Sequence, residues 1–281
     1  MMWELLIGDR IYSSWSLRGW LLFEAFGTPV KVTQAPMFSE ALAAHLADFG
    51  SGSGLVPQMR RDGVVIWDTL AMAETLAEEV PGMWPAAAAD RARARAMVAE
   101  MHSGFTALRS ACPMNMRHVY EGFEPDDAVR RDLDRVEALW SGAPGWLFGD
   151  YSIADVFYAP VAMRIAGYGL EVGAEAQAYV ERHLAHKAVR RWRAMGIAEH
   201  SVQPGYDLDL PTHDWPGTRR PARVATNGPA VNETCPFSGR PVAPDGLAEV
   251  DGRVIGFCNS FCRDKVIADA EAWSAVRPLL T

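Results

Sequence analysis

Apolar runs and helical periods alternate over the first 80 residues. The run WELLIG predicts a strand, and apolar side chains then recur at helical spacing until Gly27 and Pro29 end the helix. Farther along, two short apolar runs flank Asp62 and Gly63, a tight-turn pair that predicts a β-hairpin. A small α/β domain is therefore predicted at 1–80. Its other predicted elements are an extended piece at 29–34 and helices at 14–26, 39–48 and 69–79.

The order strand, helix, strand, helix, hairpin, helix fits a sheet of thioredoxin type. After the segment PGMWP the pattern changes to long amphipathic helices without convincing strands. The predicted fold class is thus α/β plus all-α, with a thioredoxin-like domain followed by an all-helical domain at 86–200. The predicted helices of the second domain are 87–111, 125–140, 153–167, 174–184 and 186–196.

Proline and glycine are frequent in residues 201–232, which show no sustained periodicity and are predicted to form an extended linker. Compact elements resume at Glu233. Two apolar runs surround another Asp-Gly turn, and a short helix follows them. A small cysteine-containing module is therefore predicted at 233–281.

Composition narrows the function classes. The 281 residues are 49% hydrophobic and 22% charged, which is typical of a globular protein. The formal net charge of -8 disfavours nucleic acid and anionic membranes as partners, because both repel an acidic surface. No apolar run approaches the roughly 18 residues of a membrane span, and the start MMWELLIGDR lacks a secretory pattern. We therefore expect a cytoplasmic protein.

The stretch IGDRIYSSWSLRGWLLF places hydroxyl groups at the start of the first helix. A helix N-terminus carries about half a positive unit charge and stabilises an anion such as a thiolate. Each unit by which a thiol pKa is lowered requires roughly 1.4 kcal/mol, and one hydroxyl donor plus the helix end can supply one or two units. The alternative is that Ser13 or Ser14 only caps the helix, while Arg18 is a solvated charge.

Two later motifs strengthen the first one. GLVPQM holds a Val56-Pro57 bond where a loop meets a strand; if that bond is cis, it turns the backbone N–H and C=O of Val56 outward to pair with a peptide-like ligand. Asp68 and Thr69 supply a carboxylate and a hydroxyl at another helix start, suited to the amino and carboxylate groups of a ligand. Each motif alone fits a turn or a cap, but their combination and order favour a ligand site.

The combination resembles the cytosolic glutathione transferase superfamily over about residues 1–200, and a bacterial serine-type branch of it in particular. The matching stretches are YSSWSLRGWLL, VPQM, WDTLAMAETLAE, MWP, EMHSGFTALRSACPMNMR and YSIADVFYAPVAMRIAGYG. The resemblance implies a thioredoxin-like domain, a helical domain, glutathione as co-substrate between them and a homodimer. It implies that Ser13 is the catalytic serine, with Ser14 as the close second.

Further positions carry over from the resemblance one by one. Val56 matches the residue that pairs with the peptide backbone of glutathione, and Pro57 matches the cis-proline. Asp68 with Thr69 matches the pair that holds the γ-glutamyl end. Leu55 departs from the branch, which commonly has a lysine there. In the helical domain the resemblance places several residues near the pocket of an electrophilic co-substrate: His102, Arg109, Met114, Asn115 and Arg117.

Structural roles are predicted for other residues of the helical domain. Ser152 and Asp155 form the capping-box pattern Ser-x-x-Asp. Met101, Met114 and Met116 are predicted as core side chains, and Cys112 as a small buried one.

The C-terminal cysteines follow the spacing C-x22-C-x3-C at Cys235, Cys258 and Cys262, with a hairpin between the first two. This arrangement resembles treble-clef zinc modules of the TRASH and YHS type. Ser238 stands where the second cysteine of a Cys-x2-Cys pair is expected. A serine is a poor zinc ligand, so three thiolates leave one position open, or suit copper(I). The alternative is a metal-free module held by its apolar side chains: Phe237, Val254, Phe257, Phe261 and Trp273.

Three functions remain open from the sequence. The first is a glutathione transferase that conjugates the glutathione thiolate to a small electrophile. The second is a non-catalytic binding protein on the same scaffold, because a fold does not fix a function. The third is a protein that binds or responds to a metal, zinc being the candidate, through the C-terminal cysteines.

Overall fold

The structure is a computed structural model that describes residues 2–143, 145–217 and 219–281. The chain divides into two compact units, Met1–Leu184 with Gln203–Trp215 and Ala185–Val202 with Pro216–Thr281. The segment predicted as a linker is thus divided between both units, and the last predicted helix of the helical domain belongs to the second unit.

The first unit begins with the predicted thioredoxin-like domain, and this fold is confirmed. Its sheet has the order β2-β1-β3-β4, with β1 parallel to β2 and the other pairs antiparallel. Leu6 and Ala35 pack beside Leu42 and Phe49 beneath the sheet. The elements are β1 Trp3–Ile7, α1 Ser14–Glu24, β2 Val30–Gln34, α2 Glu40–Phe49, β3 Gln58–Arg61, β4 Val64–Trp67 and α3 Thr69–Ala77.

Helix α1 packs closely against the turn before β3. A Cβ added at Gly19 would lie 2.7 Å from Cγ of Pro57 and 3.4 Å from Cε of Met72. Glycine at this position therefore lets α1 approach both the turn and α3.

An all-helical domain follows, as predicted. Its helices within the first unit are α4 Ala88–Ser103, α5 Thr106–Ala111, α6 Asp127–Trp140, α7 Ile153–Gly167 and α8 Ala174–Ala185, the last ending at the unit boundary. Helix α7 is buried along nearly its whole length and forms the centre of the domain.

The helix predicted at 87–111 is interrupted, so that prediction was wrong. Phe105 adopts a left-handed conformation with φ of 53°, which ends α4 and starts α5. The carboxylate of Asp132 on α6 accepts a hydrogen bond from the backbone N–H of Leu108 at 2.9 Å, so the start of α5 is capped from a neighbouring helix.

The predicted capping box at the start of α7 is confirmed, and its carboxylate also joins other elements. Asp155 is fully buried and accepts hydrogen bonds from the N–H groups of Leu147 and Ser152 and from the hydroxyl of Tyr179, at 3.0, 2.8 and 2.9 Å. Burial raises the pKa of this carboxyl group, and the hydrogen bonds oppose that rise.

A short antiparallel pair was missed in the sequence. Strand β5, Val119–Tyr120, pairs with β6, Thr212–His213, which lies in the predicted linker. The side chain of Gln203 donates to Asp9 at 2.9 Å, and that of Asn115 donates to Asp207 at 2.8 Å. Residues 203–215 are therefore an ordered part of the first unit.

The second unit combines α9, Lys187–Ala198, with a three-stranded antiparallel sheet and α10, Ser260–Ala268. Helix α10 packs on α9, and Arg190 forms an ion pair with Asp269 at 2.7 Å. Phe257 and Trp273 belong to the buried core of this unit, with Phe237 partly buried against it, whereas Val254 and Phe261 lie outside it. The strands are β7 Ala222–Val224, β8 Leu247–Val250 and β9 Arg253–Gly256.

Among the described residues, no helix combines the length and the apolar character that crossing a membrane requires.

Candidate functional site

The first unit contains a cavity of about 940 Å³ beside the start of α1. Its wall includes the four residues around that helix start, which are Tyr12, Ser13, Ser14 and Trp15. Other segments contribute Val56 from the turn before β3, Arg109 from α5, Arg164 from α7 and Tyr206 from the segment after residue 203. Both predicted serines and one predicted backbone-pairing residue thus lie on the same cavity.

Ser13 caps helix α1, which was the alternative weighed for it. Its oxygen accepts a hydrogen bond from the N–H of Ser16 at 3.1 Å, and its hydroxyl donates to the hydroxyl of Ser16 at 2.9 Å. The N–H of Gly8 also donates to Ser16 at 3.0 Å. Ser13 lines the cavity even though it caps the helix. Its hydroxyl accepts the capping hydrogen bond through a lone pair, so its single proton remains free to turn to another acceptor.

Ser14 is the first residue of α1 and is half-buried on the cavity wall. Both hydroxyls therefore lie where the helix N-terminus stabilises negative charge.

The bond between Val56 and Pro57 is cis. Among the described residues, none hydrogen-bonds the backbone N–H or C=O of Val56, so both groups are available to a ligand in the cavity. Leu55 beside it lines the same cavity and is 71% exposed.

Asp68 and Thr69 lie at the start of α3, as predicted, but are not among the cavity-lining residues. One oxygen of Asp68 accepts from the N–H of Leu70 at 2.8 Å, and the other lies 3.1 Å from Nε2 of His102. Burial lowers the pKa of His102, and Asp68 opposes that shift, so at neutral pH the contact is a hydrogen bond from a neutral imidazole. Thr69 is buried, and its hydroxyl has no hydrogen-bond partner among the described residues.

Arg18 is not a solvated charge, which corrects the simplest interpretation of its position. It is 1% exposed and lies between two rings, 3.9 Å from the centroid of Trp15 and 4.9 Å from that of Phe157. Burial lowers the pKa of its guanidinium to about 9. The helix periodicity did not reveal this burial because α7 covers the side of α1 that carries Arg18.

Only part of the residue set that the resemblance placed near a second substrate lies on the cavity. Arg109 and Met114 line it, whereas His102, Asn115 and Arg117 are not among the lining residues. Met101 and Met116 are buried, as is Cys112, whose pKa is raised to about 12 by burial.

Two lining residues were missed because they lie in the predicted linker, Gly205 and Tyr206. The ring of Tyr206 lies 5.5 Å from that of Tyr12. The one available signal was an aromatic residue after Pro-Gly in an otherwise polar stretch.

The second unit brings its three cysteines together. The sulfur atoms of Cys235, Cys258 and Cys262 all lie within 4.8 Å of one another. The hydroxyl of Ser238, the residue in place of a fourth cysteine, lies 3.2 Å from the sulfur of Cys258. Burial opposes ionisation of Cys235, but hydrogen bonds from the backbone of Cys258, Phe237 and Ser238 lower its pKa to about 7.

Two sequence profiles match the chain. The glutathione S-transferase N-terminal domain matches residues 12–79, and the glutathione S-transferase C-terminal domain matches residues 126–194. A search of curated proteins found no match.

Solved structures share the fold of about two thirds of this chain. A glutathione transferase homologue from Burkholderia GL BGR1, with bound glutathione, is 22% identical at a TM-score of 0.54, over 70% of this chain and 98% of that chain. Glutathione transferase Omega 3C from Trametes versicolor is 19% identical at a TM-score of 0.53, over 69% of this chain and 88% of that one.

A theta class glutathione S-transferase from Xanthomonas axonopodis pv. citri, with glutathione bound, is 20% identical at a TM-score of 0.50, over 67% of this chain and 95% of that one. Likeness at these identities establishes the fold. Residues 12–79 and 126–194 are thus similar to the two domains of glutathione S-transferases, and the shared fold agrees with that similarity.

Proposed function

We propose that this protein is a glutathione S-transferase in which a serine hydroxyl at the start of α1 holds the thiolate of glutathione. The observation that carries the proposal is that Ser13, Ser14 and the unpaired backbone of Val56 line one cavity. The bound glutathione in two structures of the same fold supports it. A homodimer and a cytoplasmic location stay predictions.

Glutathione binding is proposed along the wall from Val56 to α1. The free N–H and C=O of Val56 suit the backbone of a peptide ligand. Asp68 and Thr69 are proposed to hold the γ-glutamyl end from the start of α3. Leu55 offers no cation to the glycine carboxylate, so we expect weaker binding of that end than a lysine at this position gives.

The chemistry requires only a stabilised thiolate. The thiol proton leaves to solvent, and the serine hydroxyl and the N-terminus of α1 stabilise the sulfur anion. The thiolate then forms a carbon–sulfur bond to an electrophile, whose leaving group departs with the electron pair of the bond that breaks. Ser13 can take part by turning its proton from Ser16 to the sulfur while it still accepts from the N–H of Ser16.

Two serine variants test the proposal. Ser13→Gly removes the hydroxyl but weakens the cap by only a few tenths of a kcal/mol, and Ser14→Ala removes the other hydroxyl. We expect at least one variant to retain binding to immobilised glutathione while losing about 10- to 1,000-fold in kcat/KM towards an aryl halide. Ser103→Ala, an exposed serine on α4, is the control. If the unaltered protein shows neither retention on immobilised glutathione nor activity towards the aryl halide, the alternative of a non-catalytic binding protein is supported instead.

We also propose that the second unit binds a metal ion through Cys235, Cys258 and Cys262. Three sulfur atoms within 4.8 Å suit zinc, whose bonds of about 2.3 Å place tetrahedral ligands about 3.8 Å apart. The hydroxyl of Ser238, 3.2 Å from the sulfur of Cys258, is a candidate for the fourth ligand. With three thiolates the set also suits copper(I).

Metal analysis of the protein purified without chelators tests this second proposal. We expect about one metal ion per chain in the unaltered protein and in the Cys112→Ala control, and a stoichiometric loss in Cys258→Ser. A metal content far below one per chain in the unaltered protein would favour the metal-free module.

A further inference from the structure

The charge on the wall of the cavity is of one sign. Arg109 and Arg164 carry it, and no acidic side chain of the described residues lines the cavity. This contrasts with the chain as a whole, whose formal net charge is -8. The two arginines come from α5 and α7, whereas Ser13 and Val56 come from the thioredoxin-like domain.

Arg164 is buried, and its hydrogen-bond partners among the described residues are neutral. It is 5% exposed, its Nε donates to the carbonyl of Cys112 at 2.8 Å, and its Nη1 donates to the carbonyl of Pro160 at 3.3 Å. A guanidinium has five N–H donors, so other donors remain for a ligand. Burial, with repulsion from Arg109, lowers the pKa of Arg164 to about 10.

Arg109 is half-buried, and within the described part of the chain its hydrogen bonds likewise go to carbonyl groups. Its Nη1 donates to His102 and Gly104, both at 3.1 Å. Burial lowers its pKa as well. Its guanidinium also lies 5.3 Å from the ring centroid of Trp15, a lining residue.

A third cation, Arg18, also lies against the ring of Trp15, 3.9 Å from its centroid, and the nearby acidic group that favours its charged form is Asp68. Asp68 already receives His102 and the start of α3. A buried charge is costly unless an opposite charge compensates it, and neighbouring like charges add to the cost. An anion bound in the cavity would offset both the cost of burying these charges and the repulsion between them, and its effect is larger in a low-dielectric site.

We propose that the electrophilic co-substrate of this cavity is a small organic anion, and that Arg164 and Arg109 bind its carboxylate. This inference rests on the proposed function for the reaction, but the anion site itself requires only the two arginines. A planar guanidinium matches a carboxylate with two parallel hydrogen bonds, so it fixes the orientation of the electrophile as well as its affinity.

The test compares two aryl halides that differ in one carboxylate, 2-chloro-1,3-dinitrobenzene and 4-chloro-3,5-dinitrobenzoate, each with glutathione. We expect the unaltered protein to prefer the benzoate in kcat/KM. The preference should fall about 10- to 100-fold in Arg164→Gln and in Arg109→Gln. Arg135→Gln, which removes an exposed charge paired with Glu100 outside the cavity, should leave it unchanged.

A purely structural role of Arg164 would lower both rates equally, which would contradict the inference. A raised KM for glutathione with an unchanged preference would show that the arginines hold glutathione instead, and would also overturn it. Should Arg164→Gln fail to fold, two results still decide whether the cavity binds a carboxylate. They are the preference of the unaltered protein for the benzoate and its change in Arg109→Gln.

Calorimetry without glutathione separates this inference from the proposed function. Tighter binding of 3,5-dinitrobenzoate than of 1,3-dinitrobenzene, with the difference in affinity lost in Arg109→Gln, supports the anion site. This holds even if glutathione does not bind. Conjugation of the neutral halide without any preference for the benzoate would leave the transferase proposal standing and remove the anion site.

Discussion

At the scale of single residues, the close packing of α1 against the turn before β3 depends on a glycine in the middle of that helix. A Cβ at Gly19 would lie 2.7 Å from Cγ of Pro57, far below an ordinary contact distance, so Gly19→Ala must displace the turn that carries Val56. We expect Gly19→Ala to lower the free energy of unfolding by about 1–3 kcal/mol, measured by urea denaturation. At Gly205 nothing lies within 4 Å of an added Cβ, so Gly205→Ala is the matched control. Equal stability of the two variants would contradict the close packing.

His102 makes the stability of the folded protein depend on pH. Burial lowers its pKa in the folded state below the ordinary value of about 6.5, so the unfolded chain binds more protons near pH 6. Stability should therefore fall as the pH drops below about 6.5, with a contribution of at most about 1.4 kcal/mol per pH unit from this residue.

Denaturation curves between pH 5 and pH 8 measure this slope. We expect a shallower slope in His102→Gln than in the unaltered protein or in His45→Gln. An identical slope in all three proteins would show that His102 does not hold fewer protons when folded.

The sequence carried the local chemistry of these residues but not their surroundings. A serine before an apolar helical period indicates a cap, and Ser13 is one. The same pattern left Arg18 open as a solvated charge, because its burial depends on Trp15 and on Phe157 far along the chain. Long-range packing of this kind leaves no local periodicity to detect.

At the scale of secondary structure, the break between α4 and α5 depends on a side chain from α6. Asp132 accepts the N–H of Leu108 at the start of α5, the helix that carries Arg109. We expect Asp132→Ala to lower the free energy of unfolding by about 1 kcal/mol and to increase hydrogen exchange at the start of α5. Asp134→Ala, at an exposed position of the same helix, should change neither. Unaltered exchange in Asp132→Ala would indicate that α5 starts without this cap.

This break also explains why one continuous helix was predicted at 87–111. The apolar period runs through both helices, and the residue that caps the second one lies 24 positions beyond Leu108. By contrast, the hairpin of β3 and β4 and the order of the first three helices were predictable, because turn residues and periods mark them locally.

At the scale of the whole molecule, residues 203–215 show the same limit. They were predicted as part of a linker, yet Gln203 contacts Asp9 and Asp207 contacts Asn115 within the first unit. Tyr206 thereby becomes part of the cavity wall. A polar segment without periodicity gives no sign of partners that lie roughly one to two hundred positions earlier in the chain.

The second unit was partly predictable because its cysteines follow a spacing that can be recognised in the sequence. The spacing of Cys235, Cys258 and Cys262 indicated a cluster, and their sulfur atoms lie together. The sequence could not show that α9, predicted as part of the helical domain, belongs to the compact unit that contains them.

The central claim is that the start of α1 holds a sulfur anion. An ultraviolet titration of glutathione bound to the protein tests it most directly, because the thiolate absorbs where the thiol does not. We predict a bound thiol whose pKa lies one to two units below that of the free ligand and returns towards it in Ser13→Gly or Ser14→Ala. An unshifted pKa in the bound ligand, or no binding at millimolar glutathione, would contradict the account.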